Sequence, residues 1–467
     1  MSSFTMSIDG TQHSAASSFG VINPATEEIF AEAPNCSRQQ LDQAIGAADR
    51  AYRTWKRDEA ARRQALLQAA ELIQSKAQEL GATLTLEQGK PLAQAVGEAT
   101  SAAAQLKNVA ALPIPHEVLA DSDKGRIEIV YRPYGVVAAI TPWNFPLTTA
   151  MSKIAPALLA GNTVVLKPSP FTPLATLQMG ALLNSVLPKG VLNIVSGDND
   201  VGAWLTAHPG VKKISFTGSV ATGKKVGQVA AADLKRVTLE LGGNDPAIVL
   251  DDADVAQIAP RIFWGAFYNS GQVCLAIKRV YVPESLLEPL TAAVTKLARE
   301  VKVGDGNDPS TQLGPINNAM QLGRVSSLVE DAKQHEAVIH AGGERLGRKG
   351  YFYPPTVLTG VSDDVAIVAE EQFGPVMPLL PYRELDDAIE RANATHFGLG
   401  ASVWSRDLER ASQVAQQIDA GTCWINQHIA LTPKAPFGGA KHSGIGLASG
   451  RWALESFLQK HVINVVK

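Results

Sequence analysis

Val136-Val-Ala-Ala-Ile140, Thr163-Val-Val-Leu166, Val191-Leu-Asn-Ile-Val195, Lys213-Ile-Ser-Phe216 and Arg236-Val-Thr-Leu239 are five short, apolar-rich runs at steady intervals. Helix-length segments separate them, for example Leu147–Ala160 and Leu174–Val186. Strand and helix alternating at this spacing predict βαβ units and a parallel sheet. Such a sheet binds ligands at the carboxyl ends of its strands.

Upstream, the pattern is helical. Ser37 and Gln40 have capping-box spacing just before Leu41, Ile45 and Ala48, which share a helix face. Leu66, Ala70 and Ile73 repeat the pattern, and the Ala-rich stretch from Pro91 to Leu112 continues it. Ile127, Ile129 and Tyr131 alternate with Glu128 and Val130, which reads as a strand that Pro133 interrupts. Downstream, a second alternating set runs from about Lys278 to Asn426. Its strand-like pieces are Arg279–Val282, Ala337–His340 and Leu399–Trp404, and its helix-like pieces are Glu284–Val301 and Leu408–Ile418. The β-branched tail His461–Lys467 reads as a strand that needs a partner.

The 467 residues suggest about three domains at ~150 residues each. A net charge of −3 lacks the excess of Lys and Arg on which nucleic-acid or polybasic membrane binding rests. The start, MSSFTMSIDG, has no signal-peptide pattern, and no apolar run reaches the ~18 residues of a spanning helix. Three scattered cysteines, Cys36, Cys274 and Cys423, cannot form a disulfide framework. A cytoplasmic location is the expectation, with no nucleic acid, membrane or metal as partner.

Three strings resemble motifs without fitting them. Gly218-Ser-Val-Ala-Thr-Gly223-Lys224 is followed by Lys225, where a P-loop needs Ser or Thr for magnesium. Its glycines can still bring N–H groups to a phosphate at a helix start. In Gly444-Ile-Gly446 the third glycine comes one place late, at Gly450, so a loop is expected. His335 and His340 are too far apart for a zinc-binding helix face.

Four segments carry chemistry. Thr141-Pro-Trp-Asn-Phe-Pro146 follows the first strand; alone it reads as a rigid aromatic turn, although the Asn144 amide can donate. Glu240, in Leu239-Glu-Leu-Gly-Gly243, lies in an apolar run. It is either a salt-bridged structural carboxylate or a general base whose pKa burial raises. Cys274, in Ser270-Gly-Gln-Val-Cys-Leu275, is either a small buried hydrophobe or a nucleophile, because no second thiol or metal ligand stands nearby. Glu370-Glu-Gln-Phe-Gly-Pro375 places an acidic pair before an aromatic and a Gly-Pro turn.

Together these strings resemble the aldehyde dehydrogenase superfamily. The resemblance runs from about Val21 to Lys467 and adds Lys167-Pro-Ser169, Phe216-Thr-Gly-Ser219 and Pro436-Phe-Gly-Gly439 in family order. It implies an aldehyde-dehydrogenase-like α/β fold: two Rossmann-like domains plus a small β bridging element. The implied divisions are 1–120 and 134–240 for the cofactor, 241–450 for catalysis, and 121–133 with 451–467 for oligomerisation as a homodimer or homotetramer.

The resemblance implies oxidation of a small-molecule aldehyde to its acid through a cysteine thioester. Cys274 is then the nucleophile, Glu240 the base and Asn144 an oxyanion donor, with Lys153 in support. It assigns Ile140, Thr141, Pro142, Trp143, Lys167, Ser169, Pro170, Phe216, Thr217, Gly218, Ser219, Thr222, Leu241, Gly242, Glu371 and Phe373 to the cofactor. Many NAD-using members carry Glu where this chain has Pro170, so the lean is to NAD with NADP left open. Around the aldehyde it places Phe145, Thr149, Ser152, Tyr268, Val273, Leu275, Leu431 and Phe437. Ser152 stands where many relatives have a bulky aromatic, and no Arg offers a bidentate anchor. Neutral aliphatic or aromatic aldehydes are therefore expected. The alternatives are a succinate-semialdehyde-like enzyme, a coenzyme-A-acylating one and a non-catalytic structural homologue.

Overall fold

The computed structural model describes residues 4–467. The first three residues of the expected 1–120 segment therefore lie outside the described residues. All five runs form strands of one sheet: Val136–Ile140, Thr163–Lys167, Leu192–Ile194, Val211–Thr217 and Arg236–Glu240. They pair in parallel in the order 236–240, 211–217, 136–140, 163–167, 192–194. Val136–Ala139 are almost fully buried. That burial explains why these strands read as continuous apolar runs rather than alternating ones. The helices Pro146–Ala160 and Leu174–Leu183 connect them.

The Ser37 capping box forms as the spacing predicts: Ser37 Oγ accepts from Gln40 N, and Gln40 Oε1 accepts from Ser37 N. Four short strands precede it unannounced. Met6–Ile8 extends the parallel sheet antiparallel to Leu192–Ile194, Thr11–His13 pairs antiparallel to Met6–Ile8 at the edge, and Ser18–Asn23 pairs with Glu28–Pro34. At the opposite edge the sequence misleads. Gly444–Ile445 is not a loop but a two-residue strand, antiparallel to Leu239–Glu240. A Cβ on Gly444 would stand 2.6 Å from the Leu239 carbonyl, so only glycine admits this approach.

The second set builds a seven-stranded sheet in the order 338–341, 356–359, 376–382, 277–283, 245–249, 400–404, 422–425, parallel except at its first edge. The Leu408–Ala415 helix stops one turn short of the expected end. The tail strand, Leu458–Val466, pairs with Gly125–Pro133 along its whole length, and His116–Ser122 adds an unforeseen third strand.

One topological fact positions everything that follows. Glu240 ends a strand of the first sheet, and Asp245 begins a strand of the second only five residues later. The carboxyl edge of the first sheet (Ile140, Lys167, Thr217, Glu240) thus meets the amino edge of the second (Asp245, Ile277, Val376).

Candidate active site

From the first sheet come Asn144 and Glu240. Asn144 is buried just before the Pro146–Ala160 helix, and its Nδ2 donates to the Gln272 carbonyl at 2.9 Å. An amide has two N–H groups, so one remains for a ligand. Glu240 is buried, and neither carboxylate oxygen has a hydrogen-bond partner. Burial pushes its pKa up to about 8, and the nearby Lys153 ammonium opposes that shift. Lys153 Nζ itself donates to Thr217 Oγ1 at 2.7 Å, and burial pulls its pKa down. The Glu240–Gly242 backbone is held from both sides. Gly218 N donates to the Glu240 carbonyl, Leu241 N to the Ser443 carbonyl, and Ser443 Oγ to the Gly242 carbonyl at 2.7 Å.

From the second sheet comes Cys274, half-buried on the loop before Ile277–Pro283. That loop is strained: Asn269 (φ 50°), Ser270 (φ 55°) and Gly271 (φ 70°) are successive left-handed residues. Each of the first two costs on the order of 1–3 kcal/mol, a cost that clusters at functional sites. A network holds the strain. Ser270 Oγ donates to the Gly314 carbonyl, Asn269 Nδ2 to the Asn144 carbonyl, and Lys278 Nζ to the carbonyls of Gly271 and Gly374, both at 2.8 Å. Gly243 lies so close that a Cβ would stand 2.4 Å from the Cys274 carbonyl.

A cysteine nucleophile attacks as thiolate, and the surroundings of Cys274 disfavour that form. Burial, then the charges of Glu371, Asp245 and Glu240, push the Cys274 pKa well up; only its own backbone N–H pulls the other way.

Most of the expected cofactor residues lie at or just beyond the carboxyl edge of the first sheet, and Glu371 and Phe373 precede the Val376–Tyr382 strand of the second. Thr141 Oγ1 is buried without a partner. Lys167 is buried, with only the Pro168 carbonyl on its Nζ (3.2 Å); burial pulls its pKa down to about 8. Ser169 Oγ accepts from Phe171 N beside Pro170. Phe216, Thr217 and Gly218 lead to Ser219, which caps the Val220–Ala232 helix through Thr222 N and leaves that N-terminus open for an anion. Trp143 and Phe373 meet edge to face at 5.2 Å. Pro142 connects Thr141 to Trp143, and Ile140 ends its strand. Glu371 Oε1 accepts from Gly243 N at 3.1 Å, and burial pushes its pKa up to about 7. A Cβ on Gly242 would stand 2.2 Å from the Glu371 carboxylate. An orphaned hydroxyl, a buried lysine that makes no ion pair among the described residues and the helix N-terminus at Ser219–Val220 fit a dinucleotide.

Phe145, Tyr268, Val273, Leu275 and Phe437 gather with Cys274, Trp424 and Ile429 in one apolar cluster. Phe145 and Tyr268 lie nearly parallel, 6.2 Å between centroids. Thr149 and Ser152 turn their hydroxyls onto carbonyls of their own helix, at 2.6 and 2.8 Å. Leu431 does not join: it is 56% exposed, and Ile429 takes its place. Ile429, Lys278, Asn269, Ser443 and Arg324, which donates to the Glu371 carbonyl, escaped the sequence reading. Positive φ at Ile429 is invisible in sequence. A Lys one residue into an apolar strand was the one signal available for Lys278.

A profile of the aldehyde dehydrogenase family matches residues 11–463. The chain is 39% identical over 456 residues to aminoaldehyde dehydrogenase 1, peroxisomal, of Pisum sativum, covering 94% of this chain and 90% of that protein. It is 39% identical over 460 residues to an aldehyde dehydrogenase of Enchytraeus buchholzi, covering 96% and 92%. Among solved structures, the NAD+ complex of an aldehyde dehydrogenase from Bacillus cereus superposes with a TM-score of 0.97 at 37% identity, covering all of this chain and 97% of that one. A betaine aldehyde dehydrogenase from Staphylococcus aureus in complex with NAD+ gives 0.96 at 33%, covering 99% and 94%. The chain belongs to the aldehyde dehydrogenase family, and its activity class is the NAD(P)-dependent oxidation of aldehydes. No helix among the described residues is long and apolar enough to cross a membrane.

Proposed function

We propose that Cys274 is the nucleophile, Asn144 and the Cys274 N–H the oxyanion donors, and Glu240 the base that hydrolyses the thioester. The observation that carries this is a buried Glu240 carboxylate without a hydrogen-bond partner, within charge range of Cys274. The Cys274 thiol first gives up its proton to water, against the burial and the carboxylate charges that favour its neutral form; the thiolate then attacks the aldehyde carbon, a C–S bond forms and the carbonyl pair moves onto oxygen. The second Asn144 N–H and the Cys274 N–H bind that oxyanion. A bound nicotinamide supplies the hydride acceptor that takes the carbon to the acid level. Glu240 then removes a proton from water, the water oxygen attacks the thioester, and the Cys274 thiolate leaves. Lys153 tunes Glu240 by charge. Thr141, Lys167, Ser219, Glu371 and Phe373 are the residues we expect to hold NAD, supported by the NAD+ complexes of the relatives.

The substrate reading is a neutral aliphatic or aromatic aldehyde. The apolar cluster and the self-satisfied hydroxyls of Thr149 and Ser152 support it. A panel of aldehydes read by reduced-nicotinamide absorbance tests it; faster turnover of succinate semialdehyde than of medium aliphatic or aromatic aldehydes would overturn it.

We propose the same division of the chain into domains, with the bridge taken from His116 rather than 121 because the His116–Ser122 strand pairs within its sheet. Val462, Val465 and Val466 are exposed on the outer tail strand, which supports pairing with a second subunit as a homodimer or homotetramer. Three free cysteines support a reducing compartment such as the cytoplasm.

A further inference from the structure

The two proposed oxyanion donors come from different sheets, so something must fix Asn144 relative to the Cys274 loop. A buried ion pair outside both motifs occupies that position. Lys90 lies in the turn between the helices Ala77–Gln88 and Leu92–Ala110, and Glu98 on the second of them. Their side chains are 1% and 2% exposed and meet at 2.5 Å. Lys90 Nζ also donates to the Asn144 carbonyl at 2.8 Å and stands 3.9 Å from the centroid of the Phe145 ring. The other oxygen of Glu98 accepts from Leu147 N (2.9 Å) and Thr148 N (3.3 Å). These are first-turn donors of a helix that has no side-chain cap of its own. One pair thus grips residues 144 to 148 from both sides.

The grip extends to the other sheet through a closed ring of buried amides. Lys90 N donates to Gln88 Oε1, and Asn317 Nδ2 donates to the carbonyls of Glu87 and Gln88. Asn317 N donates to Gln272 Oε1, Gln272 Nε2 to the Asn269 carbonyl, and Asn269 Nδ2 back to the Asn144 carbonyl. Desolvating two charges is costly, and an apolar pair of equal volume often serves stability as well or better. Packing alone therefore gives no reason for Lys and Glu here, whereas geometry does. Each charged atom ends on the backbone or ring of a proposed site residue, or on the helix directly behind it.

We infer that Lys90 and Glu98 are positioning residues that set the Asn144 amide against Cys274 and hold the Phe145 wall. This inference rests on the reading of Asn144 as oxyanion donor. A shift of about 1 Å at such a donor can cost on the order of 100-fold.

The test is a double-mutant cycle in the full chain, read as the pre-steady-state rate of nicotinamide reduction together with the dissociation constant for NAD. Lys90→Met is expected to slow reduction about 10- to 100-fold while NAD affinity stays within about twofold. In an Asn144→Ala background it should cost almost nothing further, because residues acting through one another are non-additive. A parent rate in Lys90→Met, or the same fractional loss in both backgrounds, overturns the inference. A parent rate in Asn144→Ala overturns the oxyanion reading as well; a slow Asn144→Ala beside a parent-rate Lys90→Met overturns this inference alone. Should Lys90→Met fail to fold, Glu98→Gln keeps the shape and a capping oxygen but breaks the charge pair. It too must slow reduction non-additively with Asn144→Ala, and a parent rate there counts against the pair.

Discussion

Lys153 lies within charge range of Glu240, yet its ammonium donates to Thr217 and leaves both Glu240 oxygens bare. The pair is therefore coupled by charge without being locked by a hydrogen bond. A carboxylate in this state is free to take a proton from water, and its pKa is set by two opposing causes that mutation can separate.

Deacylation should rise with pH through about 8, where Glu240 ionises. Lys153→Met removes the opposing charge and should move that limb to higher pH. Single-turnover thioester hydrolysis against pH checks this. A limb that stays in place would remove Lys153 from the account.

Glu240 also bears on stability. Its folded pKa is raised, so its neutral form is favoured by folding. The resulting cost is absent below the unfolded value near 4.5 and grows as pH rises toward about 8. Glu240→Gln should therefore raise the melting temperature at pH 8 by a few degrees and leave it unchanged near pH 4. Melting curves at the two values test this, and an equal shift at both would contradict it.

Glu371 is the second cause of the raised Cys274 pKa, after burial. Removing its charge favours the thiolate. Glu371→Gln should speed alkylation by iodoacetamide in the absence of cofactor, by several-fold at pH 7, while weakening NAD binding. Slower alkylation would show that Glu371 does not act on the thiol through charge.

Gly243→Ala brings a Cβ to 2.4 Å from the Cys274 carbonyl, a contact that must shift backbone. The expected loss of stability is about 1–3 kcal/mol, with a larger fractional loss in turnover. Denaturant melts beside kcat measure both.

The family resemblance sets Pro170 where many NAD-using members carry Glu, and a Glu carboxylate there would repel a 2′-phosphate. Pro170→Glu should raise the NAD-to-NADP ratio of kcat/KM by at least tenfold, which steady-state kinetics with each cofactor will decide.

Much of this was legible in sequence, for a physical reason. The five parallel strands of the first sheet lie mostly buried and so appear as short apolar-rich runs, and Ser37 announces its helix by spacing. Asp245–Val249 was hidden because its Asp-Pro start follows Gly242-Gly-Asn244, and Val376–Tyr382 because it contains Pro378 and Pro381. Gly444–Ile445 is too short to show a period. Glu98 sits in an Ala-rich helix, where a charge reads as a solvated face; only the fold turns it inward onto Lys90. The raised Cys274 pKa depends on burial and then on Glu371 and Asp245, which are distant in sequence and gathered only at the amino edge of the second sheet.

The central claim is that Cys274 carries the substrate. Cys274→Ala, mixed with NAD and an aldehyde that the parent oxidises, should give no rise in reduced-nicotinamide absorbance while binding NAD as the parent does. Reduction at the parent rate by that variant would contradict the account.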